Sequence, residues 1–450
     1  MNTVVSSYLR SAKSIDLGGT GFFRLVGLLA GACANFAVIA ILSRDYGVEY
    51  YAFYALMASM LNLLPFADFG IGATMVNATA DYRSGALDRM SFQSHFRRAS
   101  LVTVLVSLAV ASLAFLLYQM GLWVPILGAV GEMNHASALA TVVIISAAVG
   151  IPLGLGSRIL QGCGKMRVVV TAALIGPIIQ LIVIVVCWTT HAPAYLFVLA
   201  PCAGYLAVGF LTLALALRSI SGDEGSLIGW SLTSPVRVRI AETAVPFFLI
   251  SIGMVVGFQS HRLLISTFGT VEDVAQYSVV AQFAGPLLAI LGVMGQNLWS
   301  RYRERFRIGT LRVREFAQHI VLLGTVGAVF ALALIVISYP GIRFVSGGSL
   351  VVPLATVLAG SVYILVVSVH QPAAMFLIDP RGLWVQVLCV WLSGLVGMVL
   401  AISLIPELGP AALYLGLSAG MVVLQVIPCI YISTRRISSM EKAVETGVAV

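Results

Sequence analysis

Charge is what this chain has least of: charged residues fill 10% of its 450 positions, against 60% for hydrophobic ones. A soluble domain carries roughly a quarter charged residues. The composition therefore excludes an ordinary water-soluble fold and sets most of the chain against lipid or other apolar helices. The six cysteines (Cys33, Cys163, Cys187, Cys202, Cys389, Cys429) are scattered, mostly in apolar runs, with no CxxC pair. That spacing excludes a disulfide framework and a zinc site, and leaves buried free thiols. No P-loop, metal-ligand cluster or activated nucleophile is present, so no cofactor is expected and ATP is not the energy source within this chain. The formal net charge is +8, yet no Lys/Arg-rich soluble module carries it, which excludes nucleic acid as a partner.

What is there is a series of long apolar runs. Backbone groups in hydrocarbon must find partners within the protein, so membrane spans are helices or a closed barrel. The runs are unbroken rather than alternating over about ten residues, which selects helices. The pattern predicts an all-α, polytopic integral membrane protein with about 12 spans. They are expected near 22–43, 49–78, 98–119, 136–156, 168–189, 194–217, 242–267, 274–299, 317–338, 351–377, 384–405 and 411–433. The run from Phe22 is too long for a signal-peptide core and lacks a small-residue cleavage site, so it reads as a retained first span. Pro65 is placed to bend the second.

Lysine and arginine set the orientation. Of 26 basic residues, about 22 fall on the side that holds the N-terminal tail, Arg83 to Arg98, Arg158 to Arg167, Arg218 to Arg239, Arg301 to Arg314, Arg381 and Arg435 to Lys442. Only Arg44 and Arg343 fall on the other side, and Arg24 and Arg262 fall within spans. The rich side is cytoplasmic by the positive-inside rule, with both termini there. Tyr50, Tyr51 and Tyr54 are then expected at the outer interface, where amphipathic rings collect.

The chain also repeats itself. LSRDYGVEYYAFYALMASMLNLLPFADFG, from Leu42 to Gly70, has a weaker echo in ISTFGTVEDVAQYSVVAQFAG, from Ile265 to Gly285. A shift of about 222 residues brings Ser43 and Gly47 onto Ser266 and Gly269, and Ala52 and Tyr54 onto Ala275 and Tyr277. Six spans per half is an even number, so the halves share one topology and relate by an axis along the membrane normal. The expected organisation is an N-lobe over 1–217, a cytoplasmic linker over 218–240 and a C-lobe over 241–450 with a short cytoplasmic tail. Two pseudo-symmetric six-helix lobes around a central cavity is the architecture this implies.

Ionisable residues at membrane depth cost ~2.5–3.5 kcal/mol each on insertion scales and are functional candidates. Arg24 opens the first span and Asn35 follows eleven residues on, at nearly the same helical angle, with Gly27, Gly31 and Ala34 on or beside that face. The stripe suits a cavity lining or a close helix–helix contact, and Arg24 suits a ligand role or snorkelling to headgroups. Arg262 follows His261 and has Gln259 and Ser266 at helical spacing, with the same two readings open. Asp68 is the one carboxylate well inside a span: an ion-coupling site, a partner for an arginine, or a structural group beside the Pro65 bend. His370 precedes Gln371 and Pro372, where a bend exposes it to a cavity or the core simply satisfies it.

The LSRDYGVEYYAFY run followed by ADFGIG resembles the first two spans of the bacterial polysaccharide flippases, the O-antigen and exopolysaccharide repeat-unit translocases. These belong to the multidrug, oligosaccharidyl-lipid and polysaccharide exporter superfamily. Ser43, Arg44, Gly47, Tyr51, Phe53, Asp68, Phe69 and Gly70 match the family pattern. ILQGCGKMR from Ile159 resembles the loop after its fourth span, and HRLLISTFGTVEDVAQYSVVAQF from His261 resembles its seventh and eighth. One position departs: an Asp often precedes the span-seven Arg in the family, and here that residue is His261, which titrates near neutral pH. The resemblance implies a flippase of the bacterial cell inner membrane that moves an undecaprenyl-pyrophosphate-linked oligosaccharide by alternating access. Its partners would be the lipid-linked oligosaccharide, membrane lipids, and a polysaccharide polymerase and glycosyltransferases. Arg24, Asn35, Gln259 and Arg262 would bind the substrate, with Asp68, His261 and His370 as ion-coupling or structural groups. An ion-coupled drug exporter of the same superfamily is the alternative. A membrane-embedded polymerase or glycosyltransferase is disfavoured, because the outer loops are short and chemically quiet.

Overall fold

The computed structural model describes residues 20–61, 71–83, 85, 87–221, 241–307 and 309–445. Nearly all of them are helical, and eleven helices among the described residues are long and apolar enough to cross a membrane. The chain is a multi-pass, all-α membrane protein. The second expected span is seen as two helices, Val48–Met60 and Ile71–Arg83, on either side of residues 62–70. Pro65 and Asp68 lie outside the described residues, as does the linker beyond Ser221. The ninth expected span is longer than its apolar run suggests: its helix covers Val313–Ser346 with Pro340 inside it.

The helices gather into two compact units. Of the described residues, the first comprises 20–38, 71–120 and 138–221, and the second comprises 39–61, 121–137 and 241–445. The hairpin around Gly47 and the loop around Gly128 therefore pack with the second half of the chain, although both come from the first half. Lipid tails are as apolar as leucine, so helix association in membranes leans on close packing of small residues and on interhelical hydrogen bonds. Both devices are visible in each unit.

In the first unit, helices Ile175–Thr189 and Leu199–Ser221 touch at Gly176 and Gly204, where a methyl added to Gly204 would sit 2.5 Å from the Gly176 carbonyl oxygen. At the basic end, Met75, Phe92, Ile159 and Leu160 form a buried cluster, and the Tyr82 and Phe92 rings stack at 4.7 Å. Two cations tie loops there: Arg83 donates to the Cys163 carbonyl at 2.9 Å and Lys165 donates to Ser219 Oγ at 2.7 Å.

The second unit is built on Val271–Arg307, Val313–Ser346, Leu354–Phe376, Pro380–Leu408 and the Ala411–Met421 helix, which runs through a π-helical turn into Ile427–Glu445. Its basic end is closed by aromatic packing of Tyr302, Phe316 and Phe376 and by ion pairs. Glu315 takes Arg301 at 2.9 Å and also Arg305, and Asp379 takes Arg436 at 2.8 Å.

At the opposite end of this unit lie the two copies of the glycine turn. In the first copy a π-helical turn, Leu42–Tyr46, ends at Gly47, whose φ of +110° favours glycine and whose N–H reaches the Leu42 carbonyl at 2.8 Å. In the second copy Gly269 N–H reaches Ile265 at 2.9 Å, and the next helix is started by a capping box. There the Thr270 N–H donates to Asp273 Oδ2 at 2.9 Å, and the Asp273 N–H donates to Thr270 Oγ1 at 3.2 Å. The following helices, Val48–Met60 and Val271–Arg307, pack against each other. Residues 51 to 57 are at most 3% exposed, so the Val48–Met60 helix is enclosed on all sides over those two turns. This corrects the expected tyrosine belt: Tyr51 and Tyr54 are core residues, because neighbouring helices of the unit cover the face that a lone span would show to the interface.

The loop after Met120 closes the same end. Ser266 Oγ donates to the Leu127 carbonyl and accepts from the Val130 N–H at 3.2 Å. Gly128 is required there twice over: its φ is +60°, and a Cβ would fall 2.2 Å from the Ser266 carbonyl oxygen.

Candidate functional site

The chain leading to Arg262 is broken in an informative way. Helix Ala241–Met254 passes through a π-helical turn, Val255–Gln259, before resuming as His261–Phe268. Gly257 in that turn touches Gly394 of the Pro380–Leu408 helix, with a hypothetical Cβ only 2.8 Å from the Gly394 Cα. A π turn inserts one residue into the helical register and is frequent at functional sites. Here it re-aims the two residues that follow, His261 and Arg262.

His261 is buried, and both ring nitrogens are engaged. Nε2 lies 2.9 Å from the Gly257 carbonyl oxygen and Nδ1 lies 2.7 Å from the Tyr277 hydroxyl. A carbonyl only accepts, so Nε2 carries the proton, and Nδ1 accepts from the tyrosine. This neutral tautomer pins the π turn to the next helix. Tyr277 in turn stacks on Tyr414 at 4.8 Å, whose hydroxyl donates to the Tyr277 carbonyl at 3.4 Å, and Tyr363 lies 6.0 Å from the Tyr414 ring.

Arg262 lies on this aromatic platform. Its Nε donates to Ser278 Oγ at 3.0 Å and its guanidinium carbon sits 5.9 Å from the Tyr277 ring centroid. That distance is within cation–π range. Among the described residues Arg262 forms no ion pair and no hydrogen bond beyond the one from Nε. A guanidinium has five N–H donors, so the four on its two terminal amino groups are open. The site is a half-buried cation, held by its inner nitrogen, that presents its outer edge.

The other expected residues fall elsewhere. Asn35 lies in the first unit, where Gln180 Nε2 donates to its Oδ1 at 3.3 Å, so the polar stripe of the first span is at least partly a helix–helix contact. The side chains of Arg24 and Gln259 lie outside the described residues, as does all of Asp68. His370 is buried with Nε2 unpartnered among the described residues, on the helix that carries Tyr363. Seven residues separate the two, about 10 Å along the axis, so His370 does not join the tyrosine cluster. Tyr277, Ser278, Tyr363 and Tyr414 are the participants that sequence reasoning missed. The signal for two of them was available: Tyr277 and Ser278 lie in the echo segment, one helical connection after Arg262.

No protein-family model and no curated protein sequence matches the chain. Solved structures do match in fold. A multidrug resistance transporter of the MATE family and MOP superfamily, in an inward-facing conformation, superposes with a TM-score of 0.68 at 14% identity, over 94% of this chain and 99% of that one. The lipid II flippase MurJ, in an inward closed conformation, gives 0.65 at 13% identity over 94% and 89%. A further MATE protein in a bent conformation gives 0.59 at 16% identity over 94% of each chain. This chain has the MATE and MurJ fold. One architecture thus serves both a drug transporter and a lipid flippase, so cargo has to be argued from the site.

Proposed function

We propose that the protein flips an undecaprenyl-pyrophosphate-linked oligosaccharide repeat unit from the cytoplasmic to the periplasmic leaflet of a bacterial inner membrane, for surface polysaccharide assembly. The observation that carries this reading is Arg262: a cation at membrane depth that, among the described residues, has no carboxylate partner and keeps its terminal amino groups open. A charge within a span is costly, and an anionic cargo offsets that cost when bound. Guanidinium and pyrophosphate suit each other through paired, charge-assisted hydrogen bonds, strengthened where water is scarce. The lipid tail stays in the bilayer throughout.

Among the described residues no carboxylate placement favours an exporter of cationic drugs, and Asp68, the one expected at depth, lies outside them. Every carboxylate among the described residues lies near a helix end or in a loop, from Asp45 and Asp88 to Glu407 and Glu441. A cation carrier wants a negative group at depth, and the described part of this chain supplies a positive one.

Proteoliposomes separate the two readings. With a fluorescent polyprenyl-pyrophosphoryl oligosaccharide in one leaflet, the wild type is expected to expose it in the other faster than empty liposomes do, and to leave ethidium efflux at background. Ion-driven ethidium efflux without lipid translocation would replace this function with drug export.

A further inference from the structure

The basic-residue count leaves only Arg44 and Arg343 at the end of the protein assigned to the outer leaflet. The fold brings these two together. The Arg44 guanidinium donates to the carbonyl of Phe344, 300 positions later in the chain, and its Nε lies 3.0 Å from where a Gly347 side chain would begin. Beside it Arg343 borders a cavity of about 340 Å³ whose other walls include Tyr339, Ile342, Leu350, Val351 and Val352. Neither arginine forms an ion pair among the described residues, and the Arg343 side chain makes no hydrogen bond there.

The surroundings specify what fits. The cavity walls are apolar and open: Val351 is 70% exposed and Tyr339 is exposed too, and next along the chain Phe344 and Leu354 are exposed apolar side chains. In a membrane span such side chains face lipid, and tyrosine marks the headgroup level. A free anion would gain the arginines but leave the apolar cavity unfilled. A zwitterionic lipid would fill the cavity but place a cationic group among guanidiniums. We propose that this corner is a binding site for an anionic glycerophospholipid of the outer leaflet. Its phosphodiester sits between Arg343 and Arg44, and the start of one acyl chain enters the cavity. Arg44, already anchored on Phe344, fixes the site to the glycine turn of the first copy, so the bound lipid bridges that turn and the Val313–Ser346 helix. The site is separate from Arg262 and does not depend on the cargo proposed above.

Native mass spectrometry of the full-length protein in detergent, titrated with phosphatidylglycerol or phosphatidylcholine of the same chains, tests this. Each surface arginine is worth about fivefold toward an anionic lipid, so the wild type is expected to prefer phosphatidylglycerol by at least that factor. Arg343→Gln, an exposed substitution that leaves the Arg44 anchor in place, is expected to bring the two lipids close to parity. Val351→Trp, at the open rim, is expected to weaken both, which locates the acyl chain. Equal binding of the two lipids by the wild type would overturn the proposal. So would an unchanged preference in Arg343→Gln, displacement of phosphatidylglycerol by an equal concentration of inorganic phosphate, or stronger retention of polyprenyl pyrophosphate at the same site.

Discussion

Two arginine sites in the second unit are treated in opposite ways. Arg301 and Arg305 converge on Glu315, which is buried enough to be shielded (16% exposed) while the arginines stay partly in solvent. Arg262 sits on an aromatic ring and a serine hydroxyl, with no carboxylate among the described residues. A charge kept for architecture is neutralised within the protein, because an unpaired charge in low dielectric is costly. A charge left open lacks that explanation and points to a partner that comes and goes. The contrast separates a structural ion pair from a ligand group within one compact unit.

Removing the open charge should have the larger effect on function. Arg262→Ala deletes charge-assisted hydrogen bonds worth ~1.5–3 kcal/mol each, so proteoliposome translocation should fall roughly 10- to 100-fold. Thermal unfolding should be unchanged or shifted upward, because the uncompensated guanidinium is gone. Next, Glu315→Gln should act the other way round. It leaves two arginines facing each other and should cost about 1–2 kcal/mol of stability after discounting for their exposure. The rate per folded molecule should hold, as read by scanning calorimetry alongside flux.

Smaller changes sharpen the Arg262 side of the comparison. Tyr277→Phe keeps the ring under the guanidinium but strips His261 Nδ1 of its donor, a loss of about 1 kcal/mol in stability with translocation nearly intact. A large transport defect in that variant would move the functional weight from Arg262 to the histidine. Ser278→Ala releases only the inner nitrogen of Arg262. Ser278 is buried, so stability should fall by about 1 kcal/mol, and the concentration of lipid-linked substrate at half-maximal rate should rise a few-fold.

Much of the architecture is legible in the sequence because hydrocarbon leaves the backbone few options. Apolar runs of this length become helices, and eleven of them are seen among the described residues. Arg262 stood out for the same reason: an ionisable residue in such a run has to be explained. The platform beneath it did not stand out. Tyr277, Tyr363 and Tyr414 lie on three helices far apart in sequence, and tyrosines near span ends usually mark the interface. Only packing reveals Tyr51 and Tyr54 as core. Asn35 shows the converse problem, since a polar stripe has the same sequence whether it lines a cavity or, as here, meets Gln180 on a neighbouring helix. The π turn before His261 carries no residue signature, and the Gly257–Gly394 contact beside it involves a helix far away in sequence. The grouping of residues 39–61 and 121–137 with the second half was likewise hidden. A repeat in sequence shows that two segments correspond, not that they pack together.

The central claim is that Arg262 holds the anion of a lipid-linked substrate, and binding tests it without the complications of transport. The full-length wild type, Arg262→Ala and Arg262→Lys would each be titrated with polyprenyl pyrophosphate and with the uncharged polyprenol of equal length. The expected result is pyrophosphate-dependent binding by the wild type, weakened at least about tenfold in the alanine variant and less in the lysine one, with polyprenol binding alike in all three. Equal affinity for polyprenyl pyrophosphate in the wild type and Arg262→Ala would contradict the account.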